Sequence, residues 1–118
     1  MSLKIGHIQE DIALEFLVSK GLTLIERNFR TKAGEIDLIM EERRPQLPSV
    51  VVFVEVRYRT NPYYGSGLES IHASKIRKLR LTAELYLQKK GWTDKFFCRF
   101  DVISWAHSTE IQWIRDAF

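Results

Sequence analysis

Apolar residues recur at helical spacing near the start of the chain. Ile5, Ile8, Ile12, Phe16 and Leu17 predict a helix over residues 5–20, with Gly21 where a C-terminal cap belongs. Residues 22–30 read as a strand that enters a turn at Thr31-Lys32-Ala33-Gly34. A second strand is expected over 35–41 and a third, rich in Val and Phe, over 50–58. Pro45 and Pro48 confine the connection between them to a loop. After Pro62 comes an irregular segment, Tyr63-Tyr64-Gly65-Ser66-Gly67. Ser74 then reads as the N-cap of a second helix from 75 to about 90, ended by Gly91, with Ile76, Leu79, Ala83, Tyr86 and Leu87 as its buried stripe. Residues 96–105 and 110–114 close the pattern as two strands. The order α-β-β-β-α-β-β predicts an α/β fold: one three-layer domain over residues 1–118, with a mixed sheet flanked by helices.

Composition adds limits. The 118 residues are 45% hydrophobic and 28% charged, enough for a core and too apolar for intrinsic disorder. The longest apolar run, residues 50–54, is far too short to span a membrane. Lys4, Glu10, Asp11 and Glu15 break up the N-terminal stretch, so no signal peptide is read there. The single cysteine, Cys98, excludes an intramolecular disulfide and any multi-cysteine metal site, and its mid-strand position reads as core. A cytoplasmic protein with no membrane partner is expected.

The net charge of +3 matters less than its placement. Residues 75–90 hold Lys75, Arg77, Lys78, Arg80, Lys89 and Lys90 against Glu84 alone, whereas residues 35–42 hold Glu35, Asp37, Glu41 and Glu42 and no cation. A basic stripe beside acidic groups is what a metal-dependent nuclease needs.

The second and third strands carry the chemistry. With their loop centred near Gln46, antiparallel pairing sets Asp37 opposite Glu55, Glu35 opposite Arg57, and Ile39 opposite Phe53. Alternation then puts Glu35, Asp37, Glu55 and Arg57 on one face, and Ile36, Leu38, Met40, Val52, Val54 and Val56 on the other. Solvated charges on an outer sheet face are the plainer reading. Against it, like charges directly opposed destabilise a sheet unless a cation or proton lies between them. A divalent cation such as Mg²⁺ takes one or two carboxylates plus water and phosphate oxygens, and activates water for attack on phosphorus.

At these residues the chain resembles the YraN family of small bacterial proteins. Gly34-Glu35-Ile36-Asp37-Leu38-Ile39 and Phe53-Val54-Glu55-Val56-Arg57-Tyr58-Arg59 carry the likeness. Gly6, Glu10, Ala13, Asn28, Gly65, Lys75, Arg99-Phe100-Asp101-Val102 and Ala117-Phe118 extend it along nearly the whole chain. The family is similar to the PD-(D/E)xK nucleases, with a restriction-endonuclease-like fold close to Holliday-junction resolvases. The resemblance implies a metal site of Asp37 and Glu55, with Glu10 as the extra acid of the resolvase-like branch. Glu10 shares a helical stripe with Ala13 and Leu17 and so leans toward the sheet; a solvent-facing glutamate is the alternative. Arg57 stands where the superfamily has its lysine. Arginine stays protonated, so it can hold phosphate in its planar fork but cannot act as a general base.

Lys75, Arg77, Lys78 and Arg80 crowd the start of the second helix, where the macrodipole disfavours cations unless a phosphate backbone lies across them. A solvated helix face is the alternative. Tyr64 and its neighbours are candidates for stacking on bases, or are loop anchors, and Arg59 for a phosphate contact or a structural ion pair. Trp92, Trp105 and Trp113 read as core or as an association surface. His7, His72 and His107 lack zinc-ligand spacing, and no phosphate-binding loop of the GxxxxGK type exists.

The expectation is an endonuclease using Mg²⁺ or Mn²⁺ on DNA, branched or flap-like by analogy, with RNA left open. Asp37, Glu55, Arg57, Glu10 and Glu35 would form its catalytic set. A homodimer suits two-fold symmetric substrates. The alternatives are a non-catalytic nucleic-acid-binding module of the same fold and a protein-interaction subunit.

Overall fold

The computed structural model describes residues 5–60 and 71–118, with side chains from residue 7 onward. Helix α1 (Ile5–Ser19) is followed by strands β1 (Thr23–Arg30), β2 (Glu35–Arg44) and β3 (Leu47–Arg59), helix α2 (Ala73–Lys90), and strands β4 (Phe97–Ala106) and β5 (Gln112–Ile114). The strands form one sheet in the order β1-β2-β3-β4-β5. Only β3 and β4 run parallel, because α2 carries the chain back between them. The expected element order and mixed sheet are both present.

Each helix ends at a glycine in the left-handed region, Gly21 (φ 97°) and Gly91 (φ 70°). The N–H of the residue after each glycine reaches back to close the last turn, Leu22 to the Leu17 carbonyl and Trp92 to the Leu87 carbonyl.

Both faces of the sheet are covered. On one side Ala13 and Leu17 of α1 meet Leu38, Met40, Val52, Val54 and Ile103; on the other Leu79, Ala83 and Tyr86 of α2 meet Phe29, Ile36, Ile39, Val51 and Phe53. The Tyr86 ring stands edge-on to Phe29, with centroids 4.9 Å apart. Trp105 and Trp113 pack on the α1 side and Trp92 on the α2 side, each half-buried against a core cluster.

Several local expectations need correction. Ile8 and Ile12 point outward at 48% and 37% exposure, because Glu10, Ala13 and Leu17 form the inward stripe. That stripe lets the small Ala13 approach the sheet and lets Arg27 of β1 bridge Glu10 and Asp11. Ile36 joins the α2-side layer rather than that of Leu38 and Met40. Its partner in β1 is Phe29, just after Asn28 adopts φ 53° and interrupts the alternation of β1. The loop between β2 and β3 shrinks to Pro45 and Gln46, and Pro48 lies inside β3. The Pro48 carbonyl instead accepts two hydrogen bonds from the Arg44 guanidinium, at 3.0 and 2.7 Å, next to a break in register. His72, not Ser74, is the N-cap of α2, and its side chain makes no capping bond. Cys98 is exposed rather than core: it is the second residue of β4 and lines an open cavity with Glu84, Leu87 and Gln88 of α2.

Candidate active site

The β2–β3 register matches the sequence expectation. Ile39 pairs with Phe53, Leu38 with Val54 and Met40 with Val52, as a tight turn at Pro45-Gln46 requires. Beyond Leu38 and Val54 the strands part, and Asp37 fills the gap: its Oδ2 accepts the Val56 N–H at 2.8 Å. The Asp37 carboxyl also meets that of Glu55. Glu55 is only 5% exposed, although it sits at the mouth of a cavity.

The wall of that cavity comes from α2. Thr31 closes a turn with Gly34, its N–H donating to the Gly34 carbonyl at 2.8 Å. Gly34 then comes so near α2 that a Cβ there would lie 3.2 Å from Thr82 Oγ1. The Thr82 hydroxyl is itself held by donating to the Lys78 carbonyl at 2.7 Å. A space of about 320 Å³ remains between Gly34, Glu35, Asp37 and Glu55 of the hairpin and Ser74, Lys75, Lys78 and Leu79 of the helix. The uncapped first turn of α2 adds backbone N–H groups that lack an intrahelical acceptor.

Charge inside the cavity is tightly coupled. Burial pushes the Asp37 carboxyl up to about 8, and the hydrogen bond and charge of Glu55 push the same way. The Val56 N–H opposes this, and the Glu10 charge adds to it. Lys75 Nζ lies 2.6 Å from Glu55 Oε2, whereas Arg57 Nη1 is 3.9 Å from the same oxygen.

The remaining predicted residues fall into groups. Glu10 is buried, 8% exposed, and close enough to Asp37 to influence its proton. Its Oε1 faces Arg27 Nη2 at 3.6 Å and has no hydrogen-bond partner among the described residues, because Arg27 reaches Asp11 more closely at 2.7 Å. Glu35 lines the cavity while paired with Arg30 at 3.2 Å. Arg59 lies farther along β3, opposite Ala106. The basic stripe divides: Lys75 and Lys78 line the cavity, Arg80 lies over the Phe100 ring at 5.9 Å, and Arg77 is exposed on the outer side of the helix. Tyr64 lies outside the described residues. Arg27 was not singled out from the sequence, because a lone cation on a strand gives no local sign of a partner on the preceding helix.

Among the described residues, no three or more His, Cys, Asp or Glu side chains already form a metal cage. Asp37 and Glu55 offer carboxylate oxygens, the donor type that a hard divalent cation takes. The cations within ion-pair reach of the two carboxyls, Lys75 and Arg57, both lie at Glu55, and the buried Glu10 Oε1, whose charge acts on Asp37, has no hydrogen-bond partner among the described residues.

An α/β domain with paired acids at the open end of a hairpin is therefore the class of protein defined here. The model of the "Uncharacterised protein family UPF0102" matches residues 9–105. The chain is 47% identical to a UPF0102 protein of Alkalilimnicola ehrlichii over 98% of its own length and 87% of the relative's. It is 45% identical to one of Hahella chejuensis (99% and 91% covered) and 42% identical to one of Pseudomonas putida (96% and 90%). The chain belongs to the UPF0102, or YraN, family. No helix among the described residues is long and apolar enough to cross a membrane.

Proposed function

We propose that this protein is a metal-dependent endonuclease that hydrolyses phosphodiester bonds in DNA, with branched or flap DNA as the preferred class. The observation that carries the proposal is the buried Asp37–Glu55 pair, opening into a cavity lined by Lys75 and Lys78. Asp37 and Glu55 would hold Mg²⁺ or Mn²⁺, with Glu10 near enough to join them. When bound, such a cation would supply Lewis-acid activation of water and charge neutralisation for phosphodiester hydrolysis. The protein positions the rest. Val56 N–H fixes one Asp37 oxygen, Lys78 and the first turn of α2 meet phosphate, and Arg57 orients Glu55 or the scissile phosphate.

Arg57 favours one further reading, a nucleic-acid-binding module that does not cleave, since a guanidinium does not release a proton. The three tryptophans pack against the two core clusters while remaining partly exposed, and a protein-interaction subunit is the second alternative.

Labelled duplex, single-stranded, flap and four-way-junction DNAs, incubated with Mg²⁺ or Mn²⁺, separate these readings. Cuts that disappear in an Asp37→Asn, Glu55→Gln double variant support the nuclease. Binding with steep salt dependence and no cleavage, even by Arg57→Lys, supports the binding module.

A further inference from the structure

Glu55 is a buried carboxylate whose counter-charge comes from a helix on the other side of the cavity. Its Oε2 meets Lys75 Nζ at 2.6 Å, although 43% of the Lys75 side chain is exposed. Burying a carboxylate without a cation is strongly unfavourable, so this contact, the shorter of the two cation contacts on that oxygen, helps make the 5% exposure of Glu55 tolerable. For the helix the placement is adverse. Lys75 lies in the first turn of α2, where the macrodipole repels cations and no side-chain cap compensates. Arg57 is adjacent but 3.9 Å away, and Lys78 lines the same cavity with no ion pair to either acid among the described residues.

We propose that Lys75 is a tethered stand-in for the metal: its ammonium neutralises Glu55 until a divalent cation displaces it, and it then turns to the substrate phosphate. The inference rests on the metal-site reading above and adds a second role for one residue. A lysine suits it because the ammonium is a compact charge on a flexible four-carbon stem, and leaves one oxygen partner for another without losing its proton. The exposed part of the stem lets the head swing within the cavity mouth. The phosphate-binding lysine of this site is thereby supplied by α2, while β3 carries Arg57 at the neighbouring position.

The test is calorimetric titration of the folded protein with Mn²⁺, in wild type, Lys75→Gln, Lys75→Arg and Lys78→Gln, with folding checked by thermal melts. If Lys75 competes with the metal, Lys75→Gln binds Mn²⁺ on the order of tenfold more tightly. Lys75→Arg, which keeps the ion pair, stays near wild type, and Lys78→Gln changes far less than Lys75→Gln. With Mn²⁺ present, Lys75→Gln also binds a short DNA duplex more weakly than wild type. Unchanged or weaker Mn²⁺ binding by Lys75→Gln overturns the proposal and leaves the metal site standing. An equal gain in Lys78→Gln overturns it in favour of a general field effect. Absence of binding in every variant and in wild type overturns both the proposal and the metal-site reading.

Discussion

Asp37 Oδ2 accepts the backbone N–H of Val56 at 2.8 Å, just past the last paired residues of β2 and β3. One acid thus completes the sheet where its strands part and faces the cavity with its other oxygen. Its elevated pKa has a definite sign for stability. The native state holds a proton on Asp37 up to pH about 8, whereas the unfolded chain releases it near 3.8. Native protein binds more protons across that window, so stability falls as pH rises through it, and the loss is complete above about 8. Asp37→Asn keeps the acceptor for Val56 and removes the charge. Its melting temperature should match wild type near pH 4 and exceed it at pH 8. Asp37→Ala, which leaves the N–H unpaired, should be about 1–2 kcal/mol less stable than Asp37→Asn.

Gly34 sets the distance between the hairpin and α2. A methyl group there would press on Thr82 Oγ1 at 3.2 Å, and that hydroxyl is fixed by its bond to the Lys78 carbonyl. Gly34→Ala should cost about 1–3 kcal/mol in denaturant unfolding. Combining it with Thr82→Ala should cost about 0.5–1 kcal/mol less than the two separate losses summed, because the obstructing hydroxyl is gone.

A second cluster, away from the cavity, holds the C-terminal segment. Arg99 bridges Glu42 and the fully buried Asp101, which also accepts Trp113 Nε1 at 2.9 Å and the Asp116 N–H at 3.0 Å. The Arg99 hydrogen bond holds the Glu42 carboxyl below its usual value of 4.5. A lowered carboxylate stabilises above the unfolded pKa, and that stability is lost as pH falls through the native one. Glu42→Gln should therefore cost about 1.5 kcal/mol at pH 7. The gap from wild type should narrow below pH 4.5 in matched urea titrations.

The split of the basic stripe predicts unequal effects on nucleic-acid binding. Lys78 lines the cavity and Arg77 is exposed on the outer side of α2. Lys78→Gln should weaken DNA binding and lower the slope of log K against log salt by about 1. Arg77→Gln should leave both within error of wild type in the same fluorescence titrations.

What could be read from the sequence follows from what local rules govern. The hairpin register was legible because two strands joined by a tight turn have little freedom, and a one-residue slip would send Leu38 and Val54 out of the core. The same register sets Asp37 and Glu55 side by side. The inward lean of Glu10 followed from its stripe with Ala13 and Leu17. Other features depend on contacts between distant elements. The outward turn of Ile8 and Ile12 follows from the fit of Ala13 to the sheet and the reach of Arg27 across to α1. The switch of Ile36 to the α2 layer follows an irregular Asn28 on the neighbouring strand. Lys75 was visible as a basic residue, but its contact with Glu55 comes from the packing of α2 against the hairpin.

The most direct measurement is an anomalous difference map from a crystal soaked in Mn²⁺. The reading advanced here predicts one strong peak between the Asp37 and Glu55 carboxylates, with Lys75 Nζ moved off Glu55. A map with no peak at that pair, at Mn²⁺ concentrations that support binding in solution, would contradict it.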